Sequence, residues 1–256
     1  ISTDSNGRRD VCFLYTVMNF MSTLRSSAIP VSDPSAGLRI TEIFYSLQGE
    51  ANTSGLPTVF IRLTGCPLRC HYCDTTYSFE GGERQSLDDI IQTTLDFKTP
   101  YVCVTGGEPL AQPNALPLMQ RLADLGCEVS LETSGALDIS KVDNRVSKVL
   151  DLKTPASGEM SRNLLSNLDF LNPHDQIKFV ICNHDDYLWA KQQVEQYQLH
   201  KKVDTVWFSP AFAVEKGAVT LPQLARDLAQ WILADHLPVR FQLQLHKLLW
   251  NDETGR

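Results

Sequence analysis

From Leu38 onward, short runs of β-branched and apolar residues recur at 58–64, 101–105, 128–132, 148–152, 176–181, 205–208 and 239–245. Each has the length of a strand buried in a sheet. Between most of them, apolar residues recur at helical spacing. Ser86 and Asp89 form a capping signal that opens a helix running through Phe97. Leu116, Met119, Leu122 and Ala123 share one helical face, and Gly126 supplies a stop. Residues 185–198 and 221–236 predict two further helices. Strands alternating with helices require right-handed crossovers and a parallel sheet, open or curled into a full or partial barrel. The expectation is an α/β fold with one domain over 38–256 and a functional strand near its carboxy end.

The first 37 residues do not share this rhythm. A polar decapeptide is followed by an apolar stretch at 11–21 and a Ser-, Ala- and Pro-rich stretch at 22–37. Arg8 and Arg9 before the apolar stretch imitate a secretory or twin-arginine signal, but Asn19 interrupts it and no small-residue cleavage site follows. Residues 1–37 therefore read as a disordered or artefactual leader, with Met18 or Met21 as candidate starts and targeting as the alternative. No run reaches the roughly 18 apolar residues that a membrane-spanning helix needs. A net charge of −7 argues against a wide nucleic-acid footprint, which wants lysine and arginine in excess. Seven cysteines in 256 residues are an odd number in too long a chain for a disulfide scaffold, which favours a reducing, cytoplasmic setting.

Three of those cysteines lie in Cys66-Pro-Leu-Arg-Cys70-His-Tyr-Cys73, directly after a predicted strand. Three thiolates on a tight loop can serve one metal centre. A closed zinc site wants a fourth protein ligand; His71 lies within the loop, but no second Cys pair follows. Cys103, Cys127 and Cys182 sit in or beside apolar strands and read as core residues. A [4Fe–4S] cluster held by three cysteines leaves one iron open to a small chelating molecule. Two more motifs follow at successive strand ends, Thr105-Gly106-Gly107-Glu108-Pro109 and Glu132-Thr133-Ser134-Gly135. Either alone could be a glycine turn after a buried strand.

This ordered set resembles the radical S-adenosylmethionine superfamily, and the resemblance implies a partial (β/α) TIM-type barrel. It also implies that S-adenosylmethionine chelates the open iron and is cleaved by one electron to a 5′-deoxyadenosyl radical. The implied cofactor contacts are Tyr72, Cys73, Asp74, Gly107, Glu108, Ser134, Asp151, Leu152, Lys153, Ser209, Pro210, Ala211 and Phe212. Relatives often carry Ser-Pro-Lys where this chain has Asp151-Leu152-Lys153. An apolar strand ending in a solvated Asp and Lys is the plain alternative there.

Further segments narrow the resemblance: Glu42-Ile-Phe-Tyr-Ser-Leu-Gln-Gly-Glu50, the Phe60–Cys66 lead-in, Cys73-Asp74-Thr75, and Gln242-Leu-Gln-Leu-His-Lys-Leu-Leu-Trp250. From about Arg39 to Trp250 the chain resembles the 7-carboxy-7-deazaguanine synthase family of queuosine and deazapurine biosynthesis. That resemblance implies a lyase acting on 6-carboxy-5,6,7,8-tetrahydropterin, with hydrogen removal at C6, ring contraction, loss of ammonia and regeneration of S-adenosylmethionine. It implies Mg²⁺ at Thr75 and substrate contacts from Leu47, Gln48, Gly49, Glu50, Arg62, Thr105 and His246. It further implies a homodimer and a low-potential electron donor such as a flavodoxin or ferredoxin. Without it, Thr75 is a turn residue, Glu50 and Arg62 an ion pair, and His246 a half-exposed residue at a strand end. Two other readings stand: a glycyl-radical activase sharing the cysteine loop, and a non-enzymatic zinc- or cluster-binding module.

Overall fold

The computed structural model describes residues 37–212, 221–251 and 253–255. All but the last residue of the expected leader lies outside them. Among the described residues nine strands form a single sheet: β1 (Gly37–Leu47), β2 (Pro57–Leu63), β3 (Glu83–Ser86), β4 (Tyr101–Gly106), β5 (Glu128–Thr133), β6 (Ser147–Asp151), β7 (Gln176–Ile181), β8 (Thr205–Pro210) and β9 (Arg240–Phe241). Their spatial order is β3-β1-β2-β4-β5-β6-β7-β8-β9. Neighbours from β2 through β9 pair in parallel, whereas β1 runs antiparallel to both β2 and β3. The sheet is thus an open barrel with edges at β3 and β9.

Six of the seven expected strands appear within two residues of their predicted ends. Two strands were not legible. β1 carries a register shift between Ile40 and Glu42, which breaks the alternation that would have announced it. β3 is the polar sequence Glu-Arg-Gln-Ser on an edge, with no apolar signal. The seventh expected strand, 239–245, is corrected: only Arg240 and Phe241 pair, opposite Trp207 and Phe208. The alternating Gln-Leu-Gln-Leu then turns into a helix because Gln242 bonds both backbone groups of Ala51 and the Leu245 N–H donates to the Gly49 carbonyl.

The helices are α1 (Leu87–Asp96), α2 (Ala115–Asp124), α3 (His184–Tyr197), α4 (Leu199–Lys202), α5 (Leu221–Ala234) and α6 (Leu245–Trp250). The Ser86 hydroxyl accepts the Asp89 N–H at 3.1 Å and caps α1 as its sequence predicts. In α2 the buried stripe is Ala115, Leu118, Met119 and Leu122, rotated slightly from the expected face. Beyond its end, Gly126 takes a φ of +86°, a conformation that favours glycine. β7 and β8 are buried at every position, as parallel strands with both faces covered should be. Ile177, Phe179 and Ile181 face the helix-covered core, while Lys178 and Val180 line the inside of the barrel. Truncating a fully buried core residue such as Leu122 to alanine costs about 2–5 kcal/mol.

Candidate active site

The carboxyl ends of the strands open into one cavity of about 560 Å³. One end belongs to the cysteine loop after β2. Its backbone is tied to its neighbours: Gly65 N–H donates to Ser78 O (2.8 Å), His71 N–H to Ser157 O (3.1 Å) and Arg69 N–H to the Glu159 carboxylate (2.6 Å). The Arg69 guanidinium donates back to the carbonyls of Cys66 and Leu68 and lies 4.3 Å from the Phe79 ring centroid. Cys66, Cys70 and Cys73 all line the cavity. His71 does not; its Nδ1 lies 3.2 Å from the Ala156 carbonyl. Burial pushes the Cys70 thiol up to about 11 and raises that of Cys66, against the opposing pull of Lys153. Neither ionises unaided near neutral pH, so a bound metal has to supply the charge that makes them thiolates.

The end of β4 docks directly onto this loop. Gly107 N–H donates to Leu63 O (3.0 Å) and Glu108 N–H to Gly65 O (2.8 Å). A Cβ on Gly107 would overlap the Gly65 carbonyl, so only glycine permits the approach. The resemblance places Glu108 among the cofactor contacts. Its carboxylate is fully buried and off the cavity wall, and it accepts bonds from Thr133 Oγ1, Ser134 N–H and Oγ, and Leu110 N–H. It braces the ends of β4 and β5. Leu152, Ser209 and Pro210 also lie off the wall, Leu152 within the core, whereas Tyr72, Asp74, Gly107, Ser134, Asp151, Lys153, Ala211 and Phe212 line it.

The opposite end is built by the β1–β2 loop. Leu47, Gln48, Gly49 and Glu50 line the cavity together with Arg62, Thr105 and His246. Glu50 Oε2 accepts from Lys178 Nζ at 2.7 Å, and Oε1 accepts from Gln244 Nε2. Burial alone would raise the Glu50 carboxyl; Lys178, with help from His246 and Gln244, holds it down at about 2. Glu50 and Arg62 do not pair with each other. Arg62 Nε donates to Glu42 Oε1 (2.7 Å), which also accepts the Tyr77 hydroxyl (2.8 Å), and the guanidinium lies beside the Phe44 and Tyr77 rings. Thr105 Oγ1 donates to Glu132 Oε2 at 3.3 Å, and burial raises the Glu132 carboxyl. His246 sits in the first turn of α6 instead of ending a strand. A Cβ on Gly49 would collide with its ring, and burial lowers its pKa against the pull of Glu50.

Thr75 lines the cavity between the two ends, its Oγ1 3.8 Å from Cys73 Sγ. Lys178, Gln244 and Lys247 also line it and were missed by sequence reasoning. The available signal was a lone lysine inside the apolar run of β7.

The donor set suits an iron–sulfur cluster. A single zinc ion needs all its sulfur donors about 2.3 Å from one point, and no such convergent set of three His, Cys, Asp or Glu groups occurs among the described residues. A cuboidal cluster takes one thiolate per iron, so its cysteines stand apart around a shared space. Beside that space the Tyr72 hydroxyl and Asp151 Oδ1 are buried with no protein partner. Buried polar atoms of this kind call for a partner, and a polar cofactor over the thiols would supply one.

The sequence matches the Radical SAM superfamily over residues 60–153. It is 44% identical over 223 residues to the 7-carboxy-7-deazaguanine synthase of Koribacter versatilis (strain Ellin345), covering 85% of this chain and 99% of that protein. It is 34% identical to the enzyme of the same name from Thermoplasma acidophilum, covering 84% and 99%. In structure it is similar to QueE from Escherichia coli, with a TM-score of 0.65 at 23% identity over 82% of this chain and 95% of that one, a likeness that speaks for the fold. Cysteine loop, strand-end motifs and near-full-length identity agree: this chain belongs to the 7-carboxy-7-deazaguanine synthase family of the radical SAM superfamily.

Proposed function

We propose that this protein converts 6-carboxy-5,6,7,8-tetrahydropterin to 7-carboxy-7-deazaguanine with release of ammonia. The observation that carries this reading is a single cavity with three cysteines at one end and a buried carboxylate and arginine at the other. When bound, a [4Fe–4S] cluster with S-adenosylmethionine supplies an organic radical able to take the hydrogen at the substrate's C6. Cys66, Cys70 and Cys73 would hold the cluster. Tyr72, Asp151, Lys153, Ser134 and the Ser209–Phe212 turn (209–212) would hold the cofactor, and the unpartnered atoms of Tyr72 and Asp151, on the cavity wall, fit that task.

At the other end, Glu50 is a buried acceptor held in its ionised form by Lys178 and suits the adjacent N–H donors of a pterin edge. Carboxylate oxygens take two bonds each, so the Lys178 and Gln244 contacts leave room for both. Arg62, anchored through Nε, is suited to present its terminal nitrogens to the substrate carboxylate. Gln48, Gly49, Thr105 and His246 would bound the heterocycle. Thr75 would give one hard oxygen to Mg²⁺, which usually keeps water and substrate oxygens for the rest of its octahedron. We further propose one catalytic domain over 38–256, a homodimer, a cytoplasmic setting, and a flavodoxin- or ferredoxin-type electron donor. A glycyl-radical activase would share the cysteine loop but give no reason for a buried carboxylate opposite it.

Anaerobic incubation of the reconstituted enzyme with reductant, S-adenosylmethionine and the carboxytetrahydropterin tests the proposal. A deazapurine chromophore and released ammonia are expected. A fully loaded enzyme that produces neither refutes the assignment.

A further inference from the structure

Lys178 is an unusual residue for its place. β7 is buried throughout, and an ammonium in such a strand carries a desolvation penalty that only close partners offset. It has two. Its Nζ lies 2.7 Å from Glu50 Oε2 and 3.6 Å from Asp151 Oδ2. Asp151 Oδ2 in turn lies 3.0 Å from Lys153 Nζ, which sits 5.8 Å from the Tyr72 ring centroid. Charges of alternating sign therefore run along the cavity floor from Glu50 through Lys178 and Asp151 to Lys153. Glu50 belongs to a loop 128 residues away from Lys178, and its other oxygen is taken by Gln244. Two donors from two separate elements thus fix the orientation of one carboxylate.

A buried ion pair is weak support for stability, because packed apolar residues of similar volume often do as well. The side chain also points into the cavity and not into the helix-covered core. We infer that Lys178 is the positioning residue of the substrate end: its ammonium clamps Glu50 in the orientation that receives the N–H edge of the heterocycle, and links that carboxylate to Asp151 at the cofactor end. This rests on the proposed function for the identity of the heterocycle. The groups facing Glu50 are Lys178 from β7, Gln244 and His246 from the carboxy-terminal segment, Glu132 from β5 and, beyond Lys178, Asp151 from β6. With Lys178 neutralised, His246 is the remaining basic group among these, and burial already lowers its pKa.

The test compares Lys178→Met and Lys178→Arg in the reconstituted full-length enzyme. Lys178→Met should raise KM for the carboxytetrahydropterin by about 10- to 100-fold and move the acid limb of kcat/KM toward neutral pH. In a Glu50→Gln background the same change should add less than about threefold, since the two residues act as a unit. Effects that simply multiply would overturn the inference. Isotope-edited carboxylate infrared, assigned with Glu50→Gln, needs no substrate and separates this question from the identity of the reaction. Glu50 should titrate near pH 2 in the wild type and at or above the ordinary carboxylate value in Lys178→Met, where burial is no longer opposed by the ammonium; an unchanged titration refutes the clamp. Lys178→Arg keeps the charge but alters its geometry, so it should fold, keep Glu50 ionised and still raise KM. A wild-type KM in Lys178→Arg contradicts the positioning role even if Lys178→Met does not fold.

Discussion

Glu108→Gln exchanges one oxygen for an amino group in a side chain with no exposed surface. In the wild type, Oε2 accepts the Ser134 N–H at 2.7 Å, the Ser134 hydroxyl and the Thr133 hydroxyl, while Oε1 accepts the Leu110 N–H at 3.0 Å. A glutamine has one acceptor oxygen. Whichever way its amide turns, a backbone N–H of Ser134 or Leu110 meets an NH₂ group, and a buried donor left unpaired costs about 1–3 kcal/mol. Loss of charge-assisted bonding to the remaining donors brings the expected total to about 2–4 kcal/mol. At about 2–4 °C per kcal/mol for a chain of this size, Tm should fall by roughly 4–16 °C. Circular dichroism of the reconstituted protein under anaerobic conditions measures the shift, and equilibrium binding of S-adenosylmethionine measures the second effect. Because Glu108 acts by bracing Thr133 and Ser134, affinity should fall only as far as that brace loosens. A variant with unchanged Tm whose S-adenosylmethionine affinity drops more than tenfold would refute the brace and make Glu108 a direct ligand.

Replacing Cys66, Cys70 or Cys73 singly by alanine should abolish S-adenosylmethionine cleavage, whereas Cys182→Ala, off the cavity wall, should leave iron content and cleavage intact. Thr75→Ala should weaken the response of turnover to added Mg²⁺ without loss of cluster; unaltered metal dependence would contradict the role given to Thr75. Acid stability should report Glu50. Its carboxyl titrates at about 2 when folded against an ordinary 4.5, so between these values the unfolded chain binds more protons. The stability it contributes is complete above about pH 4.5 and is lost as pH falls toward 2. Denaturant titrations over that range should show a shallower pH slope in Glu50→Gln, and equal slopes would count against an ionised Glu50.

The parts legible in sequence were those encoded locally. A C-x3-C-x2-C spacing and glycines at strand ends need no distant partner to be recognised, and the strands β2 and β4–β8 announce themselves as apolar runs between turns. Long-range bonding decided what was missed. Lys178 gains meaning only when Glu50 reaches it across the barrel, and Gln244 only because the chain near Gly49 captures Leu245 and ends the strand pairing. The same capture converts an alternating pattern into α6 and moves His246 from a strand end to a helix. The site alternative that paired Glu50 with Arg62 assumed that two opposite charges in one pocket choose each other; Glu42 and Lys178, invisible as partners in sequence, take those places. The bonds of Glu108 to Thr133, Ser134 and Leu110 were equally hidden, because they depend on the packing of β5 against β4.

The central claim is that three thiols hold a four-iron cluster whose remaining corner is free for a small molecule. Electron paramagnetic resonance of the reduced, anaerobically reconstituted protein, before and after S-adenosylmethionine, tests it together with metal analysis. The account predicts four irons per chain, a signal that changes on addition of S-adenosylmethionine, and loss of that signal in Cys70→Ala. One zinc per chain, or a cluster signal indifferent to S-adenosylmethionine because a fourth protein ligand caps the corner, would contradict it.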